Sequence, residues 1–246
     1  MSSAAAFDRL ASDYDRLWTN TTIGRLQREA FWRQAGPLFA AGQTVLDLGC
    51  GTGEDAVLLR DRGVRPVATD GSPEMVRIAR ARGIHARLIP IEEIGALREN
   101  FDGAISNFGA LNCVRDISIL REPLARLIRP GGYLALCVIG RFCLWESLWY
   151  AAHGDVRRAV RRWSGESNSS LGLTVFYPRV DQIRSALCPE FELIRMAGIG
   201  LCVPPSYVSG LSQTSLHRLA RLDTALAVVP GARAVADHRL LILRKS

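Results

Sequence analysis

A short apolar run that breaks into three closely spaced glycines and then a helix limits what this chain can fold into more than any other feature. Thr44-Val-Leu-Asp-Leu-Gly49 lacks the polar alternation of a half-exposed strand and reads as a strand covered on both faces. The turn Asp47-Leu-Gly49-Cys-Gly51-Thr-Gly53 follows. Glycine lets a backbone turn sharply there and approach a ligand with no Cβ in the way. The helix expected from Gly53 to Asp61 presents unpaired N–H groups toward the same turn. A second strand, Arg65 to Asp70, ends in an acid 21 residues after Gly49. An acid at that position accepts hydrogen bonds from the hydroxyls of a ribose. Strand, glycine turn, helix and second-strand acid together point to a ligand that contains a nucleoside.

The alternation continues. Ser72-Pro73 supplies an N-cap and a first-turn proline for a helix over Glu74 to Arg82. Ala86 to Ile89, Phe101 to Ser106 and Tyr133 to Ile139 read as further strands. A helix is expected over Asp116 to Ile128, stopped by Pro130-Gly131-Gly132. This pattern predicts an α/β fold with a mostly parallel, doubly wound sheet. Ligands on such sheets bind beyond the carboxyl ends of the strands, so functional residues are expected near 47–53, 70, 90, 107 and 140. Residues 1–40 read as a helical N-terminal cap and 44–140 as the ligand-binding core. Residues 141–177 and 201–236 read as insertions around a strand over Phe191 to Met196. With no repeat or linker evident, 1–246 is read as a single domain.

Composition bounds the rest. Of 246 residues, 48% are hydrophobic and 22% charged, which suits a globular chain with a well-buried core. No run approaches the roughly 20 apolar residues that span a bilayer, and Met1 to Ala6 lacks the layout of a signal peptide. The expected compartment is the cytoplasm. The cysteines at 50, 113, 137, 143, 188 and 202 form no Cys-x-x-Cys and no paired Cys/His spacing, so neither a disulfide framework nor a metal site is expected. The net charge is +7 although Lys245 is the only lysine. A basic balance suits nucleic acid, anionic lipid or an acidic small substrate, and does not choose among them.

The glycine spacing narrows the ligand. Dinucleotide folds usually space them Gly-x-Gly-x-x-Gly, whereas this loop is Gly-x-Gly-x-Gly with Asp47 two residues ahead. Val45-Leu-Asp-Leu-Gly-Cys-Gly-Thr-Gly-Glu resembles the first motif of class I S-adenosylmethionine-dependent methyltransferases. Ala68-Thr-Asp70-Gly-Ser-Pro-Glu-Met75 resembles their second motif, Phe101-Asp-Gly-Ala-Ile-Ser-Asn107 their fourth-strand motif and Leu127-Ile-Arg-Pro-Gly-Gly-Tyr133 the turn into their fifth strand. Phe7-Asp-Arg-Leu-Ala-Ser-Asp-Tyr14-Asp resembles the N-terminal segment of the ubiquinone/menaquinone-type small-molecule enzymes. The resemblance implies a Rossmann-like sheet of about seven strands, the last antiparallel, and S-adenosyl-L-methionine as cofactor. It places Asp47, Gly49, Gly51, Gly53 and Gly71 around that cofactor. It puts Asp70 on the ribose, Met75 against the adenine and Tyr14 over the methionine end. Many relatives carry an acid after the third strand for the adenine amino group. Here Leu88-Ile-Pro90-Ile-Glu92 has proline nearest that position, which leaves the task to the Ile91 backbone or to Glu92.

Methyl transfer is an in-line displacement at an activated carbon, so a protein contributes chiefly alignment, and a base only where the acceptor must lose a proton. The acceptor is expected near Asn107, Phe108 and Asn112, with Asn107 also within reach of the cofactor. Residues 142–163 should roof the pocket, with Leu144, Trp145, Leu148 and Trp149 facing inward at helical spacing. Glu146, Tyr150 and His153 share the other face and offer acid/base groups, although His153-Gly154 also reads as an ordinary helix end. Tyr207 is a further candidate. A basic amphipathic helix over 155–163, with Arg157, Arg158, Arg161 and Arg162, could touch an anionic membrane or draw in an anionic or lipophilic acceptor. Against nucleic acid as substrate, residues 107–110 read Asn-Phe-Gly-Ala rather than a base-flipping motif. The competing readings are a non-catalytic S-adenosylmethionine-binding module and an NAD-type oxidoreductase on a related fold. The sequence leaves the oligomeric state open.

Overall fold

The structure is a computed structural model that describes residues 3–169, 172–208 and 210–246. Parts of the expected cap (1 and 2) and of the expected insertions (170, 171 and 209) lie outside the described residues. The strands are β1 (Thr44–Leu48), β2 (Arg65–Asp70), β3 (His85–Leu88), β4 (Phe101–Ser106), β5 (Ile128–Ile139), β6 (Glu166–Asn168), β7 (Thr174–Phe176), β8 (Phe191–Ile199) and β9 (His238–Lys245). Seven of them form one sheet in the order β3-β2-β1-β4-β5-β9-β8. All neighbours from β3 to β5 run parallel, and β9 runs antiparallel to both β5 and β8. The chain winds outward from β1 to β3, then restarts on the other side of β1 with β4. The crevice beyond Leu48 and Ser106 is therefore the switch point where such sheets take ligands.

The helices are α1 (Ser3–Tyr14), α2 (Thr22–Ala35), α3 (Glu54–Asp61), α4 (Pro73–Ala81), α5 (Arg121–Leu127), α6 (Leu144–Ala152), α7 (Val156–Ala159), α8 (Val180–Leu187), α9 (Gln213–Leu226) and α10 (Pro230–Arg233). Strand side chains alternate between the two faces of the sheet. Leu46, Leu48, Ala104, Leu134, Leu136, Leu241 and Leu243 pack with Leu124 and Leu127 of α5 and Ile183 and Leu187 of α8. Val45, Ile105, Ala135, Cys137, Leu240 and Ile242 pack with Phe31, Trp32 and Ala35 of α2. Burying a side chain such as Phe31 stabilises the fold by roughly 1.5–3 kcal/mol. The alternation also fixes where polar groups emerge. Asp47 follows Val45 by two, Asn107 follows Ile105 by two, and His238 precedes Leu240 by two. All three consequently meet at the carboxyl end of the sheet, on the α2 face.

The expected alternation, sheet class and antiparallel last strand are all present. Four local expectations are corrected. The helix expected over 116–128 is a 3-10 turn, Ile117–Leu120, followed by the shorter α5, because Pro123 suits only a first turn. Pro130-Gly131-Gly132 lies inside β5, where the pairing with β4 shifts register between Phe101 and Gly103. The insertion 141–177 is not purely helical, since β6 and β7 form a hairpin in it. The basic helix expected over 155–163 is only the single turn α7, and Arg162 points inward.

Candidate functional site

The glycine turn uses its three glycines differently. Gly49, Gly51 and Gly53 have φ of 69°, 53° and 85°, the left-handed region. A Cβ on Gly49 would stand 2.4 Å from the Ala110 Cβ, and one on Gly53 3.0 Å from the Ala79 Cβ of α4, whereas one on Gly51 would meet nothing within 4 Å. Two of the glycines let elements pack, and the third faces open space. Asp70 clamps the turn: its Oδ2 accepts from the Gly51 N–H at 2.8 Å and its Oδ1 from the Ser72 N–H at 2.9 Å. Burial pushes its carboxyl up, against the pull of those N–H groups. Ser72 caps α4 by accepting from Met75 N.

A cleft of about 260 Å³ opens beside this clamp. Gly49, Asp70, Gly71, Ile91 and Glu92, all expected site residues, line it, as does Pro90. Ala110, Cys113 and Val114 form the opposite wall, and Ser3, Ala4 and Phe7 of α1 cover it. Met75 does not line the cleft; it is buried in α4. Asp8 ties the cover down, accepting from the Ser72 hydroxyl and, at 3.0 Å, from the Glu74 N–H. No sequence motif singled out Asp8, because its partners lie more than 60 residues away.

On the α2 face a cluster of buried acidic side chains surrounds Asp47. Asp47 is buried, and its Oδ2 has no hydrogen-bond partner. Burial pushes its carboxyl well above the ordinary range, Asp55 and Asp70 push further, and Arg28 opposes them. Asp55, in the first turn of α3, accepts from Arg28 Nε at 3.2 Å, Trp32 Nε1 at 2.6 Å and Asn107 Nδ2 at 3.2 Å. Arg28 keeps a second buried nitrogen, Nη1, without a partner. Tyr14 sits within the same field. Burial pushes its phenol up to about 12, with Arg28 opposing and Asp55, Asp70 and Asp15 adding. Asn107 Oδ1 accepts from the Phe108 N–H at 3.0 Å, and Phe108 takes φ 45°, a strained value for an aromatic residue. Its ring lies 4.5 Å from Trp18 and meets His238 edge-on at 5.2 Å. Burial pushes the His238 imidazole down, with Asp237 opposing, and its buried Nδ1 lies 3.4 Å from Asp237 Oδ2. Sequence reasoning missed Asp55, Arg28 and His238; the period-2 alternation of β9 was the only signal for His238.

The other candidates divide. Asn112 is structural: it accepts from Ile139 N at 2.8 Å and donates to the carbonyls of Ile139 and Phe176. Glu146 is fully engaged. It accepts from Arg161 at 2.9 and 2.8 Å, from Arg162 at 3.0 and 2.7 Å and from the Tyr207 hydroxyl at 3.0 Å. Burial raises its carboxyl, and the two guanidinium groups overcome that and hold it below the ordinary range. The Tyr207 phenol is raised by burial and then by Glu146. Helix α6 is therefore turned partly away from expectation, with Glu146 buried, Trp145 and Trp149 half-buried and Leu144 and Leu148 exposed, since one buried carboxylate with two arginines outweighs the apolar stripe. His153 ends α6 in solvent, its Nδ1 on the Trp149 carbonyl, and Gly154 follows at φ 76°.

A doubly wound sheet with a glycine turn, a second-strand acid and a covered cleft defines a Rossmann-like nucleoside-binding protein. The model of a family described as "Methyltransferase domain" matches residues 19–187, and the chain belongs to that family. A demethylmenaquinone methyltransferase from Clavibacter sepedonicus is 33% identical over 146 residues. That match covers 54% of this chain and 56% of the relative, so the chain spans little more than half the length of the curated relative. An N-methyltransferase from Bradyrhizobium japonicum, solved with S-adenosyl-L-homocysteine, superposes with a TM-score of 0.62 at 15% identity, covering 100% of this chain and 99% of its own. A Burkholderia thailandensis 1,6-didemethyltoxoflavin-N1-methyltransferase, solved with 1,6-didemethyltoxoflavin and S-adenosylhomocysteine, gives 0.60 at 17% identity, covering 99% and 87%. These two establish the likeness of fold.

Proposed function

We propose that the protein transfers a methyl group from S-adenosyl-L-methionine to a small-molecule acceptor. The observation that carries this reading is the charge of the site. Asp47, Asp55 and Asp70 crowd the carboxyl end of β1, and Arg28 is already engaged by Asp55. A pyrophosphate would meet repulsion there, which disfavours a dinucleotide and an oxidoreductase. A ligand with an ammonium and a sulfonium would find a buried acceptor, Asp47 Oδ2, that has no other partner. The residues present fit the cofactor: the cleft from Asp70 to Glu92 for its adenosine, and Asp47 with Tyr14 for its amino-acid end. When bound, the cofactor supplies a methyl carbon activated by positive sulfur.

The chain's own contribution is alignment and exclusion of water. Asn107, held by Asp55, sets Phe108 in its strained conformation, and the Phe108 and Trp18 rings pack together under the Arg28 guanidinium on the α2 face. Neither Glu146 nor His153 is placed to take a proton, the first saturated by arginines and the second at the surface. His238, beside Asp237 and edge-on to Phe108, is the imidazole placed to accept one from an acceptor that must ionise. An acceptor resembling those of the curated relatives, a quinone or another lipophilic small molecule, suits the aromatic walls. The whole chain acts as one unit in this reading, and its six free thiols suit a reducing compartment, the cytoplasm.

Calorimetry with S-adenosylhomocysteine and with NAD separates the main alternatives. Binding of the first and not the second is expected; the reverse overturns the assignment. Incubation with methyl-labelled cofactor and a small-molecule extract should then give a labelled product. A protein that binds the cofactor but labels nothing across extracts is a binding module instead.

A further inference from the structure

We infer that the outer face of α6 and α7 is a docking surface for an anionic lipid bilayer. Six large apolar side chains, Phe142, Leu144, Leu148, Val156, Val160 and Trp163, are 36% to 64% exposed within 22 residues of chain. Most other exposed apolar residues are scattered along the chain, as on ordinary surfaces. These six form one strip. Leu144 and Leu148 are one turn apart on α6, and the Ser147 hydroxyl donates to the Ala159 carbonyl at 2.9 Å, laying α6 along α7. The Phe142 and Trp163 rings meet at 5.9 Å and join the two ends. The inward face of the same elements is polar: Glu146 with Arg161 and Arg162, and Arg162 in turn with Asp237 at 2.9 Å. That buried ion cluster anchors α6 and the turns after α7 next to β9 and leaves the apolar side outward.

Charge decides the occupant. Arg157 and Arg158 are exposed beside the strip, partly offset by Asp155, which lies 3.4 Å from Arg158. Arg141 donates to the Trp163 carbonyl at 3.0 and 2.8 Å, adding a cation at the strip's edge. A second copy of a chain carrying +7 would, in a two-fold pair, bring the same arginines face to face. Aliphatic and tryptophan side chains flanked by arginine match instead the boundary between acyl chains and anionic headgroups. Among the described residues no helix is long and apolar enough to cross a membrane, so contact would be at the surface.

The test is co-sedimentation of the full chain with vesicles of phosphatidylcholine alone or mixed with phosphatidylglycerol, at low and high salt. Binding to the mixed vesicles is expected, weakened by salt and lost on phosphatidylcholine alone. The double variant Leu148→Glu/Val156→Glu should bind the mixed vesicles roughly tenfold or more weakly. Leu222→Glu, an exposed position on α9, should bind like wild type. Failure of wild type to bind, or equal loss in both variants, overturns the inference. So does a wild-type dimer that the double variant dissociates. S-adenosylhomocysteine affinity measured on each sample stays unchanged if only the docking surface is altered, which keeps this test separate from the proposed activity.

Discussion

A Cβ built at Gly49 overlaps Ala110, while one built at Gly51 meets nothing within 4 Å. The two positions therefore predict different failures. Gly49→Ala adds left-handed strain to a 2.4 Å overlap and should destabilise the fold by about 3 kcal/mol or more. Gly51→Ala carries the strain alone, about 1–2 kcal/mol, but places a methyl group where the ligand must approach. Its affinity for S-adenosylhomocysteine should fall at least tenfold, by about 1.4 kcal/mol, while its melting temperature falls by only a few degrees, less than that of Gly49→Ala. Melting curves and titration calorimetry on both variants check the contrast. Asp70 has two duties, since both of its oxygens already hold backbone N–H groups of the loop and of the α4 cap. Asp70→Ala should thus weaken cofactor binding severely and also cost about 1 kcal/mol of stability for each N–H left without its acceptor. Unchanged affinity in that variant would remove Asp70 from the site.

At the scale of elements, α6 and the turns after α7 are held by the ion cluster rather than by apolar packing. Arg162 is 6% exposed and bridges Glu146 and Asp237. Arg162→Met leaves Asp237 buried without its guanidinium and Glu146 with Arg161 alone, and should destabilise by about 3–5 kcal/mol. In a chain this long, that is a melting shift on the order of 10 °C. The carboxyls of Glu146 and Asp237 both titrate below their unfolded values, so their stabilising contribution is fully present above the ordinary carboxylate range. It is lost as pH falls through the folded values. The wild type should accordingly lose stability below about pH 4, and the gap between wild type and Glu146→Gln should close over the same interval. Melting temperatures across pH measure both effects. The orientation of α6 was not legible in the sequence for the same reason. Periodicity ranks positions by polarity, and the partners that make Glu146 a buried residue lie 15, 16 and 61 positions away.

Over the whole molecule, what the sequence revealed was whatever depends on local chain chemistry: the apolar strands, the glycine turn, the Ser72-Pro73 start of α4 and the antiparallel last strand that the family resemblance implied. What it concealed depends on long-range pairing, namely Asp55 with Arg28, His238 with Phe108, and Asp8 with α4. The last pairing makes α1 a cover rather than a leading arm. Ser3, Ala4 and Phe7 line the cleft, and Asp8 joins α1 to the α4 cap through the Ser72 hydroxyl and the Glu74 N–H. A ligand in the cleft would add contacts to α1 that the sheet does not provide, so binding and closure of the cover are one equilibrium. Asp8→Ala removes the latch without touching the sheet or either core. Its melting temperature should stay within a few degrees of wild type, because α1 contributes only Ala6 and Ala11 to the buried apolar residues. Its S-adenosylhomocysteine affinity should fall about tenfold, the worth of one to two hydrogen bonds, and chiefly through faster dissociation. Amide exchange over residues 3–14 should be slowed by ligand in the wild type and much less so in the variant. If ligand protects α1 equally in both, the cover closes without Asp8 and the latch has another origin.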